Sequence, residues 1–135
     1  MNRIFLDTHF VVALANRRDQ YHERALELSG EYENHPLLTT DGILLEIGNA
    51  LARNFKAQAI EIIESFRAAD EVEIIQLTPW LMEQAFELYR THRDKEWGLV
   101  DCLSFVVMRQ AKIDRALTFD RRFVQAGFKA LMRTD

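Results

Sequence analysis

One cysteine, two prolines and no uninterrupted apolar stretch longer than the six residues Phe10 to Ala15 exclude several classes of protein at once. A lone Cys102 closes no internal disulfide and builds no zinc framework, so a reducing, cytoplasmic setting is expected. A membrane span needs about 20 apolar residues, and Asp7 interrupts any signal-peptide core near the N-terminus. The chain is therefore expected to be soluble and unprocessed. Positive charge is not in excess either: 17 basic residues stand against 21 acidic ones, for a net charge of −4. That balance argues against broad electrostatic binding to nucleic acid, yet it permits a nucleic-acid substrate held through metal ions and a few local arginines. No GxSxG, P-loop, HExxH or GxGxxG pattern is present. With no repeat, low-complexity tract or linker, residues 1–135 read as one globular domain, and 48% hydrophobic content suffices for its core.

Four carboxylates stand inside or at the ends of apolar runs. Asp7 follows Ile4-Phe5-Leu6, Glu46 interrupts Ile43 to Ile47, Asp101 interrupts Leu99 to Leu103, and Asp120 follows Ala116 to Phe119. Acids are rarely buried unless paired or bound to a metal. No Lys or Arg is close in sequence to the first three, which makes a divalent cation the natural partner. Setting the four aside leaves 17 residues of each sign, a neutral protein around an acidic spot.

The hydrophobic pattern alternates between strand and helix. Strands are expected at Arg3 to Leu6, Leu37 to Thr39, Val72 to Leu77, Ala116 to Phe119 and Lys129 to Met132. Between them, helices are expected through Phe10 to Ala15, from about Asp19, from Thr40 or Asp41 with Glu46 on the rim of the apolar stripe, and around Ala59 to Phe66. Thr78-Pro79 starts another helix, with Met82, Ala85, Phe86 and Tyr89 as its buried face. The last runs from Leu99 to Met108, where Asp101 and Ser104 share one side. Such alternation implies a parallel sheet covered on both faces, a three-layer α/β/α architecture. Ligands then bind outside the carboxyl ends of strands, where strand order reverses. Asp7 and Asp120 both occupy carboxyl ends, and adjacency of their strands would bring them together.

Oxygen-rich sites of this kind suit Mg²⁺, which takes one or two direct carboxylates and keeps several waters. Thr8, Asn49 and Ser104 are the supporting polar groups. Each acid also has a structural rival role: Asp7 and Asp120 as helix caps, Glu46 as a solvated rim residue, Asp101 as a helix-start acid favoured by the dipole. His9 reads as a structural or phosphate-contacting residue, and His22 and Trp97 as packing residues. Arg17, Arg18, Arg121 and Arg122 are candidate RNA contacts.

Ile4-Phe5-Leu6-Asp7-Thr8, the Thr39-Thr40 stretch leading to Glu46, Lys95 to Phe105, and Ala116 to Phe123 with Gly127-Phe128 resemble the PIN-domain nucleases, above all the toxin ribonucleases of the virulence-associated protein C type. The resemblance spans nearly the whole chain in order and spacing. It implies a sheet of order 3-2-1-4-5 and Mg²⁺- or Mn²⁺-dependent cleavage of RNA, with Asp7, Glu46, Asp101 and Asp120 as catalytic and metal-binding residues. A small antitoxin partner and a homodimer are also implied. Gly98 and Val100 depart from the family, which often has hydroxyl residues there, while all four acids are retained. The alternatives are a non-toxin RNA-processing nuclease of the same family and a catalytically inert binding module. A haloacid dehalogenase-like phosphatase would want an acid at position 9, where this chain has His9.

Overall fold

A computed structural model of the chain describes residues 2–134. Its elements are β1 (Ile4–Leu6), α1 (Thr8–Ala15), α2 (His22–Glu31), β2 (Leu37–Thr40), α3 (Asp41–Leu51), α4 (Lys56–Ala68), β3 (Val72–Ile75), α5 (Pro79–Thr91), α6 (Leu99–Ala111), β4 (Arg115–Leu117), α7 (Arg121–Gln125) and β5 (Lys129–Ala130). The strands form one sheet in the order β3-β2-β1-β4-β5, with every neighbouring pair parallel. Parallel neighbours require crossover connections, and helices covering both faces give three layers.

The central strand is completely apolar and completely buried, as a strand with a helical layer on each face must be. Strand order reverses at β1, with all strands still parallel: β2 lies on one side and β4, far along the sequence, on the other. Phe5 is level with Ala116 and Leu6 with Leu117, so Asp7 arrives level with Thr118 at the carboxyl edge. The helices start where local chemistry directs. Thr40 accepts a hydrogen bond from the Ile43 N–H (3.2 Å), and Thr78 accepts one from the Leu81 N–H (3.1 Å) with Pro79 at the first helical position. Asp19 lies upstream of α2, its carboxylate accepting from the Tyr21 N–H (2.8 Å) in a turn before the helix.

Helix α5 corrects one expectation. It packs on α6 through Leu81 and Ala85, both buried, with Leu88 half-buried behind them. Of the face expected from periodicity only Ala85 is covered, whereas Met82, Phe86 and Tyr89 are exposed. The apolar arc of α5 is wider than its contact with α6, and 3.6-residue spacing alone does not say which half of a wide arc is covered.

A second packing detail bears on the site. A Cβ at Gly42 on α3 would lie 3.2 Å from Leu103 Cδ2 and 3.5 Å from Val100 Cγ1, so α3 and α6 approach closely because that residue has no side chain.

Candidate active site

Asp7 occupies the N-cap position of α1, but its side chain makes no capping hydrogen bond. Instead Oδ2 accepts the Thr118 hydroxyl at 2.7 Å across the β1–β4 junction, and the residue is only 3% exposed to solvent. Burial, the largest cause, pushes the Asp7 carboxyl up to about 6. The Asp101 charge adds to this, while His9 and the Thr118 bond work against it. A buried acid that does not cap its helix and is short of positive partners is a poor structural choice.

The other three acids are held by different means. Asp120 does cap α7: Oδ1 accepts the Arg122 N–H at 2.9 Å, while Oδ2 meets Arg122 Nη1 at 3.1 Å and His9 Nε2 at 3.2 Å. Burial acts to raise this carboxyl, but the bonds from His9 and the Arg122 backbone, with the charges of Arg122 and His9, outweigh it and hold the group at about 2. Asp101 stands in the first turn of α6, where Oδ2 accepts the Gly98 N–H at 2.9 Å and lies 3.8 Å from Arg122 Nε. Burial, foremost, raises its pKa, helped by the charges of Asp120 and Glu46 and opposed by the Gly98 bond and Arg122. Glu46, half-buried on α3, accepts the Thr8 hydroxyl at 2.8 Å.

All four acids line one groove of about 530 Å³, together with Thr8, His9, Asn49, Ala50 and Arg122. Ser104 does not line it. That residue is fully buried, and its hydroxyl donates to the Val100 carbonyl one turn back (3.0 Å). Arg17 and Arg18 are exposed beyond the end of α1 and do not line the groove, and Arg121 is exposed at the start of α7. Arg122 turns inward and bridges Asp101 and Asp120. His22 meets the Ala13 carbonyl at 2.7 Å, and Trp97 is buried with its Nε1 donating to Gln125, both in packing positions.

Sequence reasoning missed Thr118. Its hydroxyl donates to Asp7 and its oxygen accepts the Asp120 N–H at 3.1 Å, so one side chain ties the two acids' loops together. The available signal was a hydroxyl residue within an apolar strand run, two positions before an acid. Cys102, beside Asp101, is buried, and burial pushes its thiol up to about 11, which removes it from the chemistry.

Among the described residues no three His, Cys, Asp or Glu side chains stand close enough together to form a ready-made metal cage. The donor set fits a hydrated hard cation, which needs one or two direct carboxylates and holds the rest through water. Both oxygens of Asp120 and one of Glu46 are already engaged, whereas Asp7 and Asp101 carry raised pKa values that a nearby cation would bring down.

A parallel sheet of order 3-2-1-4-5, with acids gathered where β1 and β4 end, is the arrangement of a PIN domain, and residues 4–129 match that family. The chain belongs to the PIN domain family. Over 127 residues it is 35% identical to the 23S rRNA-specific endonuclease VapC20 of Mycobacterium tuberculosis, in two strains alike, covering 93% of this chain and 95% of that protein. The crystal structure of M. tuberculosis VapC20, a sarcin-ricin loop cleaving toxin, has the same fold with a TM-score of 0.84 at 33% identity, covering 93% of this chain and 95% of that one. This chain is thus a homologue of the VapC toxin-type ribonucleases.

Proposed function

We infer that this chain is a Mg²⁺-dependent (or Mn²⁺-dependent) endoribonuclease and the toxin of a type II toxin–antitoxin pair, working in the cytoplasm as one nuclease domain. The observation that carries the reading is Asp7, a buried acid at a helix start that forgoes capping and faces Asp101 in a groove lined by four carboxylates. Asp7 and Asp101 would hold the ion directly, with Glu46 and Asp120 holding its waters. When bound, the ion polarises the phosphodiester and makes an attacking water acidic.

The chain's own groups set the stage for this. Thr118 fixes the rotamer of Asp7 by donating its hydroxyl to Oδ2. Thr8 orients Glu46, the Gly98 N–H orients Asp101, and His9 with Arg122 keeps Asp120 ionised at every working pH. A water nucleophile makes the ribose 2′-hydroxyl unnecessary, so products end in a 5′-phosphate and a 3′-hydroxyl. The relative's specificity makes 23S rRNA the first substrate to try. An antitoxin that covers the acidic groove, with an arginine or lysine taking the place of the metal charge, would silence it.

Purified protein should cut RNA with Mg²⁺ or Mn²⁺ and stop in excess chelator, and its expression should arrest growth of a bacterial host until the antitoxin is co-expressed. Cleavage that persists in chelator, or products ending in a 2′,3′-cyclic phosphate, would overturn the mechanism. Cleavage without growth arrest would instead point to an RNA-processing role, and neither to an inert module.

A further inference from the structure

Beside the acidic groove lies a second one of about 750 Å³, and His9, Asp120 and Arg122 belong to both. Its character is different. One wall is aromatic: the Tyr21 ring stacks on Phe119 with centroids 4.1 Å apart and planes at 10°, and His9 lies on Phe119 at 4.6 Å. Phe119 immediately precedes Asp120, and its carbonyl accepts a hydrogen bond from Arg133 Nη1 at 3.0 Å, which ties down the loop that carries the ring beside the acids. The lining carries four cations, Lys95, Arg121, Arg122 and Arg133, against the carboxylates of Asp94, Glu96 and Asp120; Lys95 lies 3.6 Å from Asp94 and Arg122 is paired with Asp120, which leaves Arg121, exposed at the start of α7, to face a ligand.

A metal-bearing acid centre answers the charge of one phosphate only. The neighbouring phosphate of an extended strand then needs cations, and its unstacked base needs a π-surface, which is how single strands are held without a sequence code. Both requirements are met here on one flank. On the other flank the acid groove is bounded by Asn49 and Ala50 of α3, which supply neither.

We propose that this second groove is a nucleotide subsite for single-stranded RNA flanking the scissile phosphate, in which a base packs against the Tyr21–Phe119 ring pair and its phosphate is met by Arg121. The subsite rests on the ribonuclease reading above and adds to it the form of substrate: the strand must be unpaired next to the cut, because a base inside a duplex presents no face to a ring.

Binding separates this from catalysis. An Asp7→Asn background, in chelator, is titrated with a short fluorescent oligouridylate and with the same ribose-phosphate backbone lacking bases. Tyr21→Leu should weaken the oligouridylate roughly five- to hundred-fold and leave the base-free strand unchanged, and Tyr21→Phe should restore binding. Arg121→Ala, at an exposed position, should weaken both strands alike and reduce the salt slope by about one. Equal affinities of the parent for the two strands, or Tyr21→Leu and Arg121→Ala both without effect, would overturn the subsite. Cleavage by the native chain is scored apart. Base-dependent binding in a protein that never cuts RNA would sink the nuclease reading and keep the subsite, and cutting with base-blind binding would do the reverse.

Discussion

Asp7 makes opposite demands on stability and function, and the two can be told apart by pH. Its carboxyl moves from an ordinary 3.8 to about 6 on folding, so between about pH 4 and pH 6 the folded chain holds a proton that the unfolded chain has lost. Stability from this group is therefore present at low pH and declines as pH rises through that window. Asp7→Asn carries no such penalty. In denaturant melts with chelator the variant should exceed the native protein by on the order of 1–2 kcal/mol at about pH 8, and the gap should close at about pH 4, while RNA cleavage is lost. Equal stability of Asp7→Asn and the native protein at both pH values, beside a loss of about 1 kcal/mol in Asp7→Ala, would return Asp7 to the status of a helix cap. The oddity of this residue was legible in sequence, as an acid closing an apolar run. Its support was not: Thr118 looks like any strand hydroxyl until the β1–β4 register brings it opposite Asp7. Ser104 errs the other way. Sharing a helix side with Asp101 places it one turn deeper, where its hydroxyl bonds to the Val100 carbonyl and faces the core.

Helices were easier to locate than to orient. Thr78 and Pro79 mark the start of α5 by chemistry that acts within one turn, and the structure has the cap at that residue. Which stripe is covered depends on α6, nearly twenty residues away, and periodicity carries no such information. The two stripes of α5 make the point measurable. Leu81→Ala should cost about 2–4 kcal/mol as a buried truncation, whereas Phe86→Ala, at a position 46% exposed, should stay within about 0.5 kcal/mol for the monomer. Urea melts at low protein concentration decide between this face and the one that periodicity suggests. Strand ends shifted for a related reason. The apolar run to Phe119 continues past the strand, which ends at Leu117: the Thr118 carbonyl still accepts the Met132 N–H at 3.0 Å, but its hydroxyl serves Asp7 and Asp120 as the chain turns into the acids' loop.

At the scale of the whole molecule, alternation of strand and helix over so short a chain leaves few arrangements, and the right-handed crossover preference leaves fewer. That is why the layers could be read from sequence patterns, while the strand order came from the resemblance. The groove itself is assembled from four separate stretches of chain, and its dimensions depend on how the helices seat. Here the missing side chain of Gly42 has its consequence. Gly42 lies one turn before Glu46, and it rests against Leu103 and Val100, which flank Asp101. The α3–α6 contact thus works as a shim of zero thickness that sets the gap between two acids on different helices. A single methyl, Gly42→Ala, would be a fine adjustment of that gap: Leu103 must yield by a few tenths of an ångström, or the helices part by as much. Thermal melts with graded Mg²⁺ should then show a weaker metal-induced gain in the variant than in the native chain, with the metal-free fold largely kept. The bore of the catalytic groove is set, on this account, by an absent carbon atom on a helix that contributes only one of its acids.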